Sequence, residues 1–298
     1  MIHRHVDAGG VRLHVAEEGS GPPVILAHGF PELWYSWRHQ IPALAEAGYR
    51  ALALDMRGFG DSSRPDDISA YDCARVARDL LAVLDDVGGE RAVFVGHDWG
   101  AAVVWYLARA HPERVAAVAG MSVPFIPAGK SPPLQLMRKL LGDDFYIVWF
   151  QEPGVAEEAL SADVARTFLT RRVWDRQWAD DDQEQLRRPD WMSESDLRVY
   201  VDTFSRTGFA GGLNYYRNID RNWELHRELG DRRIEPPSMF LTGERDPVRL
   251  WSSADRMESW LSDLRESVVV PGAGHWVQQE AAERVNDALV RFLRDVGY

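Results

Sequence analysis

The chain has a single cysteine, Cys73, among 298 residues. No intramolecular disulfide can form, and a reducing compartment is the natural setting. Cys73 falls in an amphipathic stretch and reads as a small core hydrophobe rather than a nucleophile. Lysine is nearly absent, with only Lys130 and Lys139. Long apolar runs are absent too. The longest, Ala92 to Ala108, is interrupted by His97 and Asp98 and is too short and too polar to span a bilayer. The opening Met1-Ile2-His3-Arg4-His5-Val6-Asp7 contains no apolar signal core. These absences lead to the expectation of a cytoplasmic protein. Positive charge is in deficit: the net charge is −12 and the pI is near 5.2, which argues against nucleic acid or anionic membrane as partners. Internal repeats and low-complexity segments are also missing.

What remains is an ordinary globular composition, 45% hydrophobic and 27% charged, long enough for one large domain or a domain with an inserted lid. Val11–Val15 alternates like a half-exposed antiparallel strand. Val24–Ala27, Ala51–Leu54, Ala92–Val95 and Val115–Met121 are continuous apolar runs, as expected of strands buried on both faces. Amphipathic helices are expected at Trp34–Ala47, Cys73–Val87 and Gly100–Ala110. This alternation predicts an α/β fold with a mostly parallel sheet. From Pro124 the texture changes. Residues 125–225 are rich in Trp, Asp, Arg and Glu, with helical periodicity and no buried strand. The strand pattern returns at Ser238–Leu241 and Ser267–Val270, and a helix over Glu280–Val296 closes the chain. The expected organisation is a core of residues 1–124 and 226–298 carrying a helical cap insertion, 125–225.

Gly96-His97-Asp98-Trp99-Gly100 joins a buried strand to a helix. The spacing Gly-x-Asp-x-Gly fits a sharp strand-to-helix elbow. It exposes the central side chain above the sheet, at the helix end that favours negative charge. Glycines on either side let neighbouring elements approach closely. A carboxylate at this position can displace a leaving group from a saturated carbon, forming an alkyl ester of the enzyme. Hydrolysis of that ester needs a base and an oxyanion hole. Asp98 is therefore the candidate nucleophile.

Elbow enzymes follow the chain order nucleophile, acid, histidine. Here Asp246 and His275 lie just after the strands at Ser238–Leu241 and Ser267–Val270, where open α/β sheets place their ligands. His275 is the candidate base for water, with Asp246 as its orienting acid. Glu244 is the competing acid. The stretch Gly120–Gly129 contains no Asp or Glu, which removes the end of the preceding strand as a source. His28-Gly29-Phe30-Pro31 follows another strand, so the N–H of Phe30 and the N–H of Trp99 are the expected oxyanion donors. His28 reads as turn scaffold.

Taken together, His28-Gly29-Phe30-Pro31-Glu32, Asp55-Met56-Arg57-Gly58-Phe59-Gly60-Asp61-Ser62 and Gly96-His97-Asp98-Trp99-Gly100 resemble the epoxide hydrolases of the α/β-hydrolase fold. Phe150-Gln151-Glu152-Pro153-Gly154-Val155-Ala156-Glu157 and Gly212-Leu213-Asn214-Tyr215-Tyr216-Arg217-Asn218 resemble the cap motifs of that family. The resemblance spans essentially the whole chain. It implies that two cap tyrosines grip the epoxide oxygen, and the motif match assigns those roles to Tyr146 and Tyr216, with Tyr215 as the alternative to Tyr216. Ring opening expels an alkoxide, and a phenol of pKa about 10 is acidic enough to protonate it. Trp99, Trp276, Trp149 and Tyr215 are expected to line an apolar pocket. The implied substrates are a small apolar epoxide and water, with no cofactor and no metal. Two rival readings stand beside this one. A haloalkane or haloacid dehalogenase shares the Asp nucleophile, but haloacetate enzymes usually carry arginines beside it, where this chain has Trp99 and Ala102. A non-catalytic binding module on the same fold is the other.

Overall fold

The computed structural model describes residues 1–170, 186–250, 252 and 254–298. Eight strands form one sheet: β1 (Ile2–Asp7), β2 (Arg12–Glu18), β3 (Pro23–Ala27), β4 (Arg50–Leu54), β5 (Ala92–His97), β6 (Val115–Met121), β7 (Ser238–Gly243) and β8 (Leu264–Val270). Their spatial order is β1-β2-β4-β3-β5-β6-β7-β8. β1 and β2 run antiparallel to their neighbours, and every later pairing is parallel. The inner parallel strands β3 to β7 are mostly apolar because both faces are covered, whereas β8 at the edge alternates exposed and half-buried residues. In β3, Val24 and Leu26 join one hydrophobic cluster, while Ile25 and Ala27 join the other. β5 divides in the same way, Val93 and Val95 against Ala92 and Phe94. This is the period-two alternation of a strand with helices on both sides.

The core helices are α1 (Gln40–Glu46), α2 (Cys73–Asp86) and α3 (Trp99–Ala110). Asp72 caps α2, its side chain accepting from the Arg75 N–H. The helix expected over Trp34–Ala47 is split instead, with a 3-10 turn at Trp34–Trp37 and α1 after it. Pro42 explains the break. It has no N–H and its ring clashes with a helical carbonyl four residues back, so it is accommodated only in the first turn of a new helix.

Between β6 and β7 the described residues form helices: α4 (Pro133–Leu141), α5 (Tyr146–Trp149), α6 (Val155–Ala162), α7 (Val164–Leu169), α8 (Glu194–Thr207), α9 (Ala210–Arg217) and α10 (Ile219–Glu228). Residues 171–185 of the expected helical insertion lie outside the described residues. α10 runs on across residue 225. Ser193 and Asp196 form a reciprocal capping box at the start of α8. The chain then passes through β7, the short α11 (Asp255–Glu258) and β8, and ends in α12 (Val277–Glu280) and α13 (Ala282–Asp295). The closing helix expected from Glu280 is thus two helices, parted at Ala281, whose φ of −135° is not helical.

Candidate active site

Asp98 sits between β5 and α3 with φ 52° and ψ −117°. It and Ser122 are the non-glycine residues with positive φ among those described. A side-chain-bearing residue held there is strained, and the surroundings must fix it. Glycines permit the turn: a Cβ on Gly100 would lie 2.0 Å from the Ala27 carbonyl oxygen. One on Gly29 would lie 2.3 Å from Asp98 Oδ1. The elbow therefore closes only because both positions lack a side chain.

The two carboxylate oxygens of Asp98 have different surroundings. Oδ1 accepts from the Phe30 backbone N–H at 2.9 Å. Oδ2 lies 3.6 Å from His275 Nε2. The Trp99 N–H, the other expected donor, is the first amide of α3. His275 is buried, and its Nδ1 lies 3.1 and 3.2 Å from the two oxygens of Asp246. Burial works against a charged imidazole, yet the Asp246 and Asp98 carboxylates outweigh it and push the His275 pKa up to about 10. Burial likewise opposes ionisation of Asp246, but His275 beside it, with the Val248 N–H, holds that carboxyl below its usual range. The competing acid is placed elsewhere: Glu244 is exposed and accepts from the Gly272 N–H at 2.9 Å.

Tyr146 on α5 and Tyr216 on α9 meet edge to face, ring centres 5.9 Å apart. Both are buried. Burial, then the negative charge of Asp98, raises both phenol pKa values well above 10, so both hydroxyls remain donors. Tyr216 also packs edge-on against Trp99 at 4.9 Å. Tyr215 is oriented differently. Its hydroxyl donates to the Arg57 carbonyl at 3.0 Å, and its ring lies 5.9 Å from that of Trp99. Trp149 packs on Phe150 at 5.2 Å, and Phe150 packs on Tyr216 at 5.0 Å, so Trp149 reaches the tyrosine pair through one intervening ring. Trp276 meets the His275 ring edge-on at 5.5 Å. Together with Phe168, Trp191 and Met192, it walls a cavity that also touches Glu32 and Gln279.

Three residues that hold the site together had no reading of their own in the sequence. Glu32 is buried and accepts from the Gly29 N–H at 3.0 Å, from His97 Nδ1 at 2.6 Å and from Gln278 Nε2 at 2.8 Å. Burial disfavours its charge, but the neighbouring His97, its hydrogen-bond partner, lowers its pKa to about 2. His97 Nε2, in turn, lies 2.8 Å from the His275 carbonyl oxygen. The Ser122 hydroxyl donates to that same carbonyl at 2.7 Å. The loop that carries Phe30, the elbow and the histidine loop are thus tied into one buried network. Glu32 inside the HGFPE run and His97 inside the elbow were the available signals, but their pairing across 65 positions is not a local pattern. His28 behaves as turn scaffold, its Nδ1 on the Gly29 carbonyl and its Nε2 accepting from the Met56 N–H.

A parallel sheet, a strained acidic elbow and a buried His–Asp pair at neighbouring strand ends define an α/β hydrolase with a carboxylate at the nucleophile position. The family model described as alpha/beta hydrolase fold matches residues 22–282. Epoxide hydrolase A of Mycobacterium tuberculosis is 49% identical, over 97% of this chain and 96% of that protein. Epoxide hydrolase 1 of Siraitia grosvenorii is 39% identical over 98% of both chains. The crystal structure of epoxide hydrolase A from Mycobacterium thermoresistibile superposes with a TM-score of 0.93 at 48% identity, covering 98% of both chains. The chain belongs to the epoxide hydrolases of the α/β-hydrolase fold. Among the described residues, no helix is long and apolar enough to cross a membrane.

Proposed function

We infer that the chain converts an epoxide and water to a vicinal diol through an ester on Asp98. Tyr146 and Tyr216 hold the oxirane oxygen while Asp98 Oδ2, the oxygen left open by the Phe30 N–H, attacks a ring carbon. The C–O bond breaks and a tyrosine proton passes to the leaving oxygen. Asp98 Oδ1 is then the ester carbonyl oxygen, held by the Phe30 N–H, with the Trp99 N–H as second donor. His275, oriented by Asp246, removes a proton from water, which attacks Asp98 Cγ. As the tetrahedral intermediate collapses, His275 passes its proton to the departing alkoxide, and the proton left on the Asp98 carboxyl returns to the tyrosinate, so the diol leaves and carboxylate, imidazole and phenol are restored. Every atom is supplied by substrate, water and side chains, so the chemistry requires no metal or organic cofactor.

The observation that carries this reading is the tyrosine pair at the elbow: Tyr216 packs edge-on against Trp99, the residue after Asp98, at 4.9 Å and against Phe30, whose N–H holds Asp98, at 5.6 Å, and Tyr146 meets Tyr216 at 5.9 Å. A departing alkoxide needs such a proton, whereas a halide does not. Residues 125–225 serve as the cap that supplies both tyrosines. Trp99, edge-on against Tyr216, and Trp276, edge-on against His275, put apolar rings beside the reacting groups, which suits a small apolar epoxide. The net charge of −12 and the single cysteine fit a cytoplasmic enzyme with no nucleic-acid partner.

A substrate panel tests this. Purified protein should form diols from aryl and alkyl epoxides and release no halide from chloroalkanes or fluoroacetate. Halide release with no diol would make it a dehalogenase. Binding of epoxides without turnover of any would make it a binding module.

A further inference from the structure

The edge of the sheet carries an imidazole cluster that the epoxide chemistry does not use. His3 and His5 are two residues apart on β1, so they project from one face. The antiparallel register sets His14 of β2 opposite His5 and two pairs along from His3. His3 Nδ1 lies 3.0 Å from His14 Nε2. The His5 and His14 ring centres are 5.6 Å apart, and Trp34 closes the group edge-on, 4.9 Å from His3. His3 and His5 are exposed, while His14 is only 5% exposed.

The buried member is held from behind. His14 Nδ1 lies 2.7 Å from Asp55 Oδ2. Asp55 is itself buried and fixed by the N–H groups of Trp34 and Asp61. A carboxylate that accepts the Nδ1 proton leaves Nε2 with its lone pair facing His3. Proteins use this carboxylate–histidine arrangement to orient metal ligands. Two imidazole nitrogens on one ion, each about 2.0–2.1 Å from it, lie roughly 2.9–3.4 Å apart at bond angles of about 90–110°. Without metal the two nitrogens share one proton in a hydrogen bond between near-parallel rings, and their 3.0 Å separation falls within that interval.

We propose that His3 Nδ1 and His14 Nε2 form a two-imidazole chelate for a divalent ion of the zinc class. The ion exchanges two of its waters for the two nitrogens and keeps water in its other positions. The proton on His3 moves from Nδ1 to Nε2, and no electron is transferred. Among the described residues no group of three His, Cys, Asp or Glu side chains forms a complete metal cage. The site is therefore open and exchangeable rather than a structural zinc centre. Bound metal would tie the exposed edge strand β1 to β2 and to the Asp55 turn.

Calorimetric titration of tag-free, metal-stripped protein with zinc sulfate at pH 7.5 tests this, with thermal unfolding as a second readout. The wild type should bind one ion per chain and unfold at a higher temperature when zinc is present. His3→Ala, at an exposed position, should weaken zinc at least about tenfold, about 1.4 kcal/mol, with metal-free epoxide turnover unchanged. His14→Gln should weaken it equally, and His5→Ala should not. Zinc bound as well by His3→Ala as by the wild type, or not bound by the wild type, would overturn the proposal. Loss in His3→Ala with full binding in His14→Gln would overturn the pairing, because the ion would then sit on the chain's amino end.

Discussion

Asp98 presents two inequivalent oxygens, Oδ1 on the Phe30 N–H at 2.9 Å and Oδ2 toward His275 at 3.6 Å. This makes the two steps separable at the level of single residues. In the resting site His275 lies between two carboxylates and keeps its proton up to about pH 10. Once Asp98 becomes a neutral ester, one of those carboxylate charges is gone. The imidazole pKa then falls, and His275 can act as base. Stopped-flow measurements should therefore show ester hydrolysis rising with pH through an apparent pKa lower than that of His275 in the free enzyme. His275→Gln should still form the ester but not hydrolyse it, and intact-protein mass spectrometry would detect the added mass of one epoxide. The tyrosines divide just as sharply. Tyr216→Phe removes a donor near the reacting oxygen and should slow ester formation by about 10²-fold or more. Tyr215→Phe removes only the bond to Arg57 and should cost about 1 kcal/mol of stability with little loss of rate. The choice between these two neighbours was open in the sequence. A motif fixes spacing, but which ring of an adjacent pair faces the nucleophile depends on how α9 is rotated.

At the scale of elements, the fold was legible wherever burial is two-sided. β3 to β7 are apolar runs because helices cover both faces, and they stand out from any exposed segment. β1 did not stand out: it is an exposed edge strand in which only Val6 is buried, so it has no alternation to read. The split at Arg38-His39, just before Pro42, and the break at Ala281 were missed because helical periodicity continues through both. The network of Glu32, His97, Gln278 and Ser122 was illegible for another reason. It joins three loops that are distant in sequence, and each residue alone looks like ordinary loop polarity. Its effect is to lock the Phe30 loop, the elbow and the His275 loop in one register. Close approach of β3 and α3 does the same for the elbow. Gly100→Ala places a methyl group 2.0 Å from a backbone oxygen, so strand and helix must part. A loss of about 1–3 kcal/mol or more is expected in chemical denaturation, with a loss of turnover as Asp98 leaves its position.

For the whole molecule, the same buried charges set the pH range of stability. Glu32 ionises at about 2 when folded, below its ordinary 4.5, so its contribution is present above 4.5 and lost as pH falls toward 2. His275 is raised from 6.5 to about 10, so its contribution is present below 6.5 and lost as pH rises toward 10. Denaturation midpoints across pH should therefore fall on both flanks. His275→Gln should flatten the alkaline flank and also soften the acid flank, because it removes the partner that lowers Asp246, whereas Glu32→Gln should flatten the acid flank. In the proposed mechanism core and cap complete one another: the core holds nucleophile, base and acid, and the helical insertion contributes the two tyrosines. The central claim is that diol oxygen comes first from Asp98 and only later from water. A single turnover in oxygen-18 water, with enzyme in excess, tests it most directly. The first diol should carry no label, and Asp98 should acquire it. Label in the diol from the first turnover would mean that water attacks the epoxide itself, and the ester mechanism would be wrong.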